Sequence, residues 1–283
     1  MALLVQFLLR LTFGLALGMA ITPAKLVTSG YFRNHLYVTL GLASLAALLS
    51  RSVTPEAFWY AVLAATFSYV GSVCWLYEKK GAGVVILSAV WLAAWMGASC
   101  QLSSVVSQAK DIGDVVYSDS AIDEAIAAGN VEELPTRVVW LSLSQGFLSE
   151  ASVISSGLLL GMTMAAMLLG HWYLNTPTME LVPLKRLILA MGAAVALQTA
   201  LSALGLWGEI AATEHLSLQW ILFVVLRWTF GLVGVGAMAR MAWQTLKIPN
   251  TQSATGILYV AVIGTFVGET MALLLSSESL FPL

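Results

Sequence analysis

The feature that most constrains this chain is a series of eight apolar segments separated by polar loops. A helix needs about 20 apolar residues to cross the hydrocarbon core of a bilayer. Lipid offers no hydrogen-bond partners, so each spanning segment has to satisfy its own backbone groups as a helix. The sequence therefore predicts an all-α, polytopic membrane helical bundle of about eight transmembrane helices. The predicted spans are 2–21, 36–50, 57–77, 82–100, 151–173, 184–207, 219–243 and 255–276.

Composition supports the membrane interpretation. The chain is 59% hydrophobic and only 10% charged, whereas a soluble domain is about 25% charged. A soluble fold with this composition would have to expose a large apolar surface and would aggregate. The net charge of −2 gives no support for nucleic-acid binding.

Basic residues are concentrated in alternate loops, and lysine and arginine mark the cytoplasmic side of a membrane protein. The opposite side holds only Arg51, Lys110 and Arg137, together with most of the acidic residues. We therefore predict that the basic side is cytoplasmic and that both termini are non-cytoplasmic. The basic residues of the predicted cytoplasmic side are Lys25, Arg33, Lys79, Lys80, Lys185, Arg186, Arg240 and Lys247.

A long polar segment, 101–150, separates two predicted four-helix halves, 1–100 and 151–283. We expect a short external helix over 120–128 and an amphiphilic, interfacial segment over 137–149. The acidic residues of the long segment would attract a soluble basic partner, such as an electron carrier. The alternative is an ordinary solvated external loop.

Two segments of the chain share the pattern LRxTFGL. They are Leu9–Ala20, LRLTFGLALGMA, and Leu226–Ala237, LRWTFGLVGVGA; a weaker copy, GLLLGM, covers Gly157–Met162. We interpret helices 1–2, 5–6 and 7–8 as versions of one repeated helical hairpin, in parallel orientation. Chance recurrence of common apolar residues is the alternative. The glycines of these segments would let helices approach closely.

Three ionisable residues lie deep inside predicted spans: Arg10, Arg227 and Glu269. At 1.5 Å per residue, all three are about 10–12 Å from the outer ends of their helices. A lone charge at the bilayer centre costs at least about 2.5–3.5 kcal/mol. We therefore predict an Arg227–Glu269 ion pair, with Arg10 near it or facing an acidic group of a lipid or cofactor. Such a cluster is either a relay or ligand site or a buried ion pair that fixes helix register.

Two histidines, His35 and His171, share a depth near the cytoplasmic border. They could ligate one haem b if helices 2 and 5 touch, because a bis-histidine haem needs two imidazoles across the iron. The alternative for His171 is an interfacial residue beside two aromatic neighbours.

The two cysteines, Cys74 and Cys100, end successive helices at opposite faces of the membrane, so we expect no disulfide between them.

The predicted cytoplasmic loops are polar and contain proline. As repeated units they would cluster, and their basic residues could bind a lipid headgroup, a quinone head or another subunit. The alternative is that they are basic only because they face the cytoplasm. The residues assigned to this cytoplasmic polar face are Lys25, Arg33, Asn175, Lys185, Arg186, Lys247 and Asn250.

No enzyme motif or metal-site spacing occurs in the sequence. The first functional hypothesis is an integral membrane subunit of a larger membrane complex, respiratory or otherwise redox, with a structural or ligand-binding role and no catalysis of its own. Its partners would be lipid and other membrane subunits. The alternatives are a small-solute transporter or channel and, more weakly supported, a single-haem b electron carrier. Transporters often have broken helices, and the absence of proline inside the spans favours the first hypothesis.

Overall fold

The computed structural model describes residues 1–100, 134–176, 178–212, 217–248, 250–279 and 281–283. In this part of the chain, eight helices are long and apolar enough to cross a membrane. The predictions of an all-helical chain and of eight long apolar helices are thereby confirmed. The helices are α1 (Ala2–Ile21), α2 (Ser29–Val53), α3 (Pro55–Leu76), α4 (Lys80–Cys100), α5 (Leu134–Asn175), α6 (Val182–Ala212), α7 (Leu218–Thr245) and α8 (Thr251–Glu278).

Helix α2 is longer than its predicted span, 36–50, and begins seven residues earlier. Arg33 and His35 therefore lie inside the helix and not in the loop before it. The first turns of α2 pack against α5, where the Trp172 Nε1 donates a hydrogen bond to the Thr28 Oγ1 over 2.9 Å. Helix α2 therefore begins in a polar stretch that hydropathy alone assigns to a loop.

Local capping residues define the starts of three helices. Pro55 occupies the first turn of α3, where its missing N–H is not needed. The Ser217 side chain accepts a hydrogen bond from the Trp220 backbone N–H at the start of α7. The Asn250 Oδ1 accepts one from the Ser253 N–H at the start of α8. Serine and asparagine are favoured N-caps because their side chains satisfy otherwise unpaired N–H groups.

The core of the fold is the crossing of α1 and α5. In their most apolar stretches, 72% and 78% of the residues are buried, against 22–44% in the other six helices. A Cβ atom added at Gly14 would lie 1.7 Å from the Gly157 carbonyl oxygen, and one added at Gly161 would lie 1.8 Å from the Gly14 carbonyl carbon. Glycine at these positions allows the two backbones to touch.

Helices α2, α3 and α4 lie on the α1 side of this crossing. The Thr39 Oγ1 donates to the Ser68 Oγ over 3.0 Å between α2 and α3. The Gln6 Nε2 donates to the Ala98 carbonyl oxygen over 2.8 Å between α1 and α4. These buried contacts hold the three helices against α1.

Helices α5–α8 form a ring on the other side, because α5 and α7 each pack against both α6 and α8. Glycine again permits the closest approach: a Cβ atom at Gly268 would lie 2.3 Å from the Gly231 Cα, between α7 and α8. Helix α8 also contacts α1. The ring and the first four helices are therefore joined along α1, α5 and α8.

Helix α7 is not a uniform α-helix. Its central part, Arg227–Gly234, is π-helical, between regular segments at Leu218–Leu226 and Val235–Thr245. π-Helical segments are rare and occur frequently at functional sites. The similar LRxTFGL stretch in α1 is regular α-helix.

The predictions for the long polar segment, 101–150, can be compared with the structure only in part. The expected external helix over 120–128 lies outside the described residues. Residues 137–149 belong to α5, which runs continuously from Leu134 into its apolar part. Cys74 and Cys100 are both free thiols.

Candidate functional site

The structure brings together the three charged residues that the sequence places at matched depth. Arg10 of α1, Arg227 of α7 and Glu269 of α8 meet where the ring of helices joins α1. Their exposed fractions are 6%, 1% and 0%. We refer to these three residues as the charge cluster.

Glu269 is the centre of the charge cluster. Its Oε1 lies 2.9 Å from the Arg10 Nη1 and also accepts a hydrogen bond from the Ser156 Oγ of α5. Its Oε2 lies 3.3 Å from the Arg227 Nη1. Arg10 further donates to the Ser156 Oγ over 3.2 Å and to the Gln6 Oε1 over 3.3 Å. One carboxylate therefore links α1, α5, α7 and α8.

Close helix packing positions these side chains. Gly231 lies one helical turn after Arg227, and it packs against Gly268, the residue before Glu269. A Cβ atom at Gly231 would lie 2.6 Å from the Gly268 Cα and in ordinary contact, at 3.6 Å, with the Arg227 Cδ. The glycine contact thus brings the guanidinium of α7 to the carboxylate of α8.

The two arginines are not equally satisfied. Arg10 donates to three side chains, whereas Arg227 donates only through its Nη1; its buried Nε and Nη2 have no hydrogen-bond partner in the part of the chain described. On α6, the Gln198 Oε1 and the Ser202 Oγ are likewise buried without a partner among the described residues. Unsatisfied donors on a buried cation are costly.

The charge cluster contains two cations and one anion. Glu150 of α5 is also near Arg10, but it is half-buried and accepts a hydrogen bond from the Ser99 Oγ over 2.9 Å. Arginine cannot be deprotonated in proteins, so the two guanidinium groups donate hydrogen bonds and carry no proton onward. The arrangement is chemically suited to fixing helix positions and to holding an anionic group.

The two histidines proposed as haem ligands have separate partners. His35 is buried, its Nδ1 lies 2.6 Å from the Tyr31 carbonyl oxygen, and its ring packs against Tyr31 and Trp172 at centroid distances of 4.3 and 6.3 Å. His171 is exposed, and its Nδ1 lies 3.2 Å from the Tyr259 hydroxyl. Neither imidazole takes part in the charge cluster.

The residues of the predicted cytoplasmic polar face lie at one end of the bundle, in or beside the α1–α2, α5–α6 and α7–α8 connections. Arg33 and Lys185 are half-buried within the first turns of α2 and α6. The other five residues are exposed: Lys25, Asn175, Arg186, Lys247 and Asn250.

Sequence analysis missed the polar, uncharged members of the site. Gln6 and Ser156 bind the charge cluster, and Gln198 and Ser202 lie buried on α6. Their depth could have identified these four residues, since each lies well inside an apolar span. Serine is common at helix contacts in membrane proteins, so depth alone did not separate these residues from ordinary packing positions.

Comparison with known proteins gives no relative from which a function could be transferred. No protein-family model, no curated protein and no solved structure matches this chain. The function has to be inferred from the geometry of the chain itself.

Proposed function

We propose that the chain is an integral membrane subunit of a larger membrane complex, in which the charge cluster has a structural and ligand-binding role. The basic end of the bundle would face the cytoplasm, and both termini would lie on the opposite side. The observation that carries the proposal is the buried carboxylate of Glu269, which links helices from both halves of the chain.

A network of this kind suits a scaffold in lipid. Helices in a bilayer gain little from burying apolar side chains against each other, so close packing and polar contacts hold them together. The glycine crossing of α1 with α5 and the charge cluster supply both kinds of contact. They would give the bundle one fixed core against which other subunits dock.

The outer surface supports contact with lipid and with other membrane subunits. Large apolar side chains project from helices on several sides: Trp59 and Tyr69 from α3, Trp207 from α6, and Phe230 and Val233 from α7, each more than half exposed. Patches of this kind mark lipid-facing or protein-binding surfaces. The acidic stretch between 111 and 133 would suit a basic electron carrier, which is why a redox complex is the class we favour.

Purification from native membranes tests the proposal. Membranes are solubilised in a mild detergent, the tagged chain is purified, and its mass on a native gel is compared with the 30.2 kDa of the chain. We expect other membrane proteins in fixed stoichiometry, and their loss in a harsh detergent serves as the control. A homogeneous species that contains this chain alone would refute the proposal.

A small-solute transporter is the second candidate, and the π-helical segment beginning at Arg227 favours it. Transporters place substrate sites where helices depart from regular geometry near the bilayer midplane. The isolated chain in proteoliposomes would then take up a small labelled anion such as formate. Replacement of Glu269 by Gln would change this uptake, whereas a complex subunit reconstituted alone would show none.

A further inference from the structure

Two buried side chains on α6 lie at the level of Arg227. Helices α6 and α7 contact each other, and a Cβ atom at Gly236 would lie 3.4 Å from the Val195 Cγ1. Ser202 is seven residues beyond Val195, and Arg227 is nine residues beyond Gly236 in the same direction along the axis. At 1.5 Å per residue, Ser202 stands about 10 Å from that contact. Arg227 stands less than about 14 Å from it, because the π-helical turns of Arg227–Gly234 rise less per residue than α-helical turns. The two residues therefore share one layer of the bundle. Gln198 lies one turn below Ser202.

Among the described residues, this layer holds two guanidinium groups and one carboxylate that pairs with both of them. Arg10 is next to Glu269 and within electrostatic range of Glu150, and it donates three hydrogen bonds. Arg227 shares Glu269 with Arg10 at the longer distance of 3.3 Å. The positive excess of the layer is therefore concentrated on Arg227.

The unpartnered atoms of Arg227 define a specific recognition element. The Nε–H and one Nη2–H point in parallel from the same edge of the guanidinium, and this edge binds two oxygens of a planar oxyanion. In Arg227 both of these nitrogens are buried and free of partners among the described residues, while the Nη1 is occupied by Glu269. Halides are spherical and do not use the two parallel donors in this way.

We propose that this site binds one planar monovalent oxyanion of the carboxylate type. Its two oxygens accept from the Arg227 Nε and Nη2, and the Ser202 hydroxyl donates a third hydrogen bond. The bound carboxylate makes the charges of Arg10, Arg227, Glu269 and the ligand sum to zero. The site belongs to the folded chain itself and does not depend on whether the chain is part of a complex.

The test uses the full-length purified chain in detergent, with formate as the probe. The melting temperature is measured against formate concentration at constant ionic strength, with chloride as the spherical control. We expect a saturable rise of about 2–5 °C with formate and a smaller, non-saturating change with chloride. In parallel, the chain is purified without added carboxylate and denatured, and the released anions are quantified by mass spectrometry.

The chemical identity of the released anion shows whether the bound carboxylate comes from lipid or from solution. A fatty acid in the organic phase indicates a lipid-derived carboxylate, and a small acid in the aqueous phase indicates a soluble one. Either at about one equivalent per chain supports the proposal. When a resident carboxylate occupies the site, the formate titration is carried out after it has been removed by exchange.

Three variants separate this site from general anion effects. Arg227→Lys keeps the charge but loses the two parallel donors, so the apparent Kd for formate should rise at least tenfold. Ser202→Ala removes the third hydrogen bond and should weaken binding about three- to tenfold. Arg240→Lys makes the same chemical change at an exposed position of α7 and should leave binding unchanged.

Ser202→Ala also keeps the test valid if Arg227→Lys does not fold. Absence of both a saturable formate effect and a stoichiometric carboxylate in the wild-type chain would overturn the proposal. Equal stabilisation by chloride and formate would overturn it, because the site would then recognise charge without planar geometry. Wild-type affinity in both Arg227→Lys and Ser202→Ala would place the anion elsewhere and would also overturn it.

Discussion

Replacing Glu269 by Gln is the most direct test of the charge cluster. The substitution preserves the size of the side chain and a carbonyl oxygen, so changes in packing are small. It removes the only carboxylate between two buried guanidinium groups. The folded state would then hold two uncompensated positive charges that face each other in the core.

The expected loss of stability follows from the burial of all three side chains. Removing one partner of a buried ion pair costs about 3–5 kcal/mol. Glu269 has two such partners, at 2.9 and 3.3 Å, so we expect the upper part of that range. At about 2–3 °C per kcal/mol for a chain of this size, a loss of about 4–5 kcal/mol should lower the melting temperature by roughly 8–15 °C.

Thermal unfolding of the purified variant in detergent measures this effect. Glu180→Gln changes an exposed acid in the α5–α6 connection and is the matched control, with an expected change within about 0.5 kcal/mol. Adding Arg227→Met to Glu269→Gln should recover part of the loss, because it removes one uncompensated charge. A melting temperature for Glu269→Gln equal to that of the control would refute the ion-pair interpretation.

Three further predictions follow from other contacts. Gly14→Ala places a methyl group 1.7 Å from a backbone oxygen, so it should lower the free energy of unfolding by more than the roughly 1–3 kcal/mol of ordinary overpacking. Gly41→Ala, with open space around it, should be neutral or stabilising, and thermal unfolding measures both variants. Cys74 and Cys100 end helices that run in opposite directions, so an oxidant should produce no intramolecular crosslink between them on a non-reducing gel; formation of one would contradict the helix order. The imidazoles of His35 and His171 have separate partners, so the purified chain should show no Soret band, and a stoichiometric haem spectrum would contradict this.

The number of long apolar helices could be predicted from the sequence because it depends on local hydropathy. A run of apolar residues between polar loops has few alternatives when the chain is only 10% charged. The meeting of Arg10, Arg227 and Glu269 could also be anticipated, since matched depth and the cost of an isolated buried charge both favour contact. Both predictions need only the position of a residue along its apolar segment, which can be counted from the sequence.

Properties that depend on which faces of the helices meet could not be predicted in this way. The LRxTFGL stretch is α-helical in α1 and begins a π-helical segment at Arg227 in α7, although the two sequences are nearly the same. Similarly, hydropathy does not indicate that Thr28 accepts a hydrogen bond from Trp172, which lies 144 residues away in the sequence. Contacts of this kind depend on which faces of the helices meet, and a single sequence does not give that information.

The two arginines have similar positions in their helices but different hydrogen-bond partners. In each LRxTFGL stretch the arginine precedes by four residues a glycine that lies at a close helix crossing, Gly14 against α5 and Gly231 against α8. Both guanidinium groups are thereby brought to the same level, where Glu269 pairs with each of them. Gln6 and Ser156 accept further hydrogen bonds from Arg10, whereas the Arg227 Nε and Nη2 have no partner among the residues that the structure describes. This difference is the reason why we propose a structural role for Arg10 and ligand binding by Arg227.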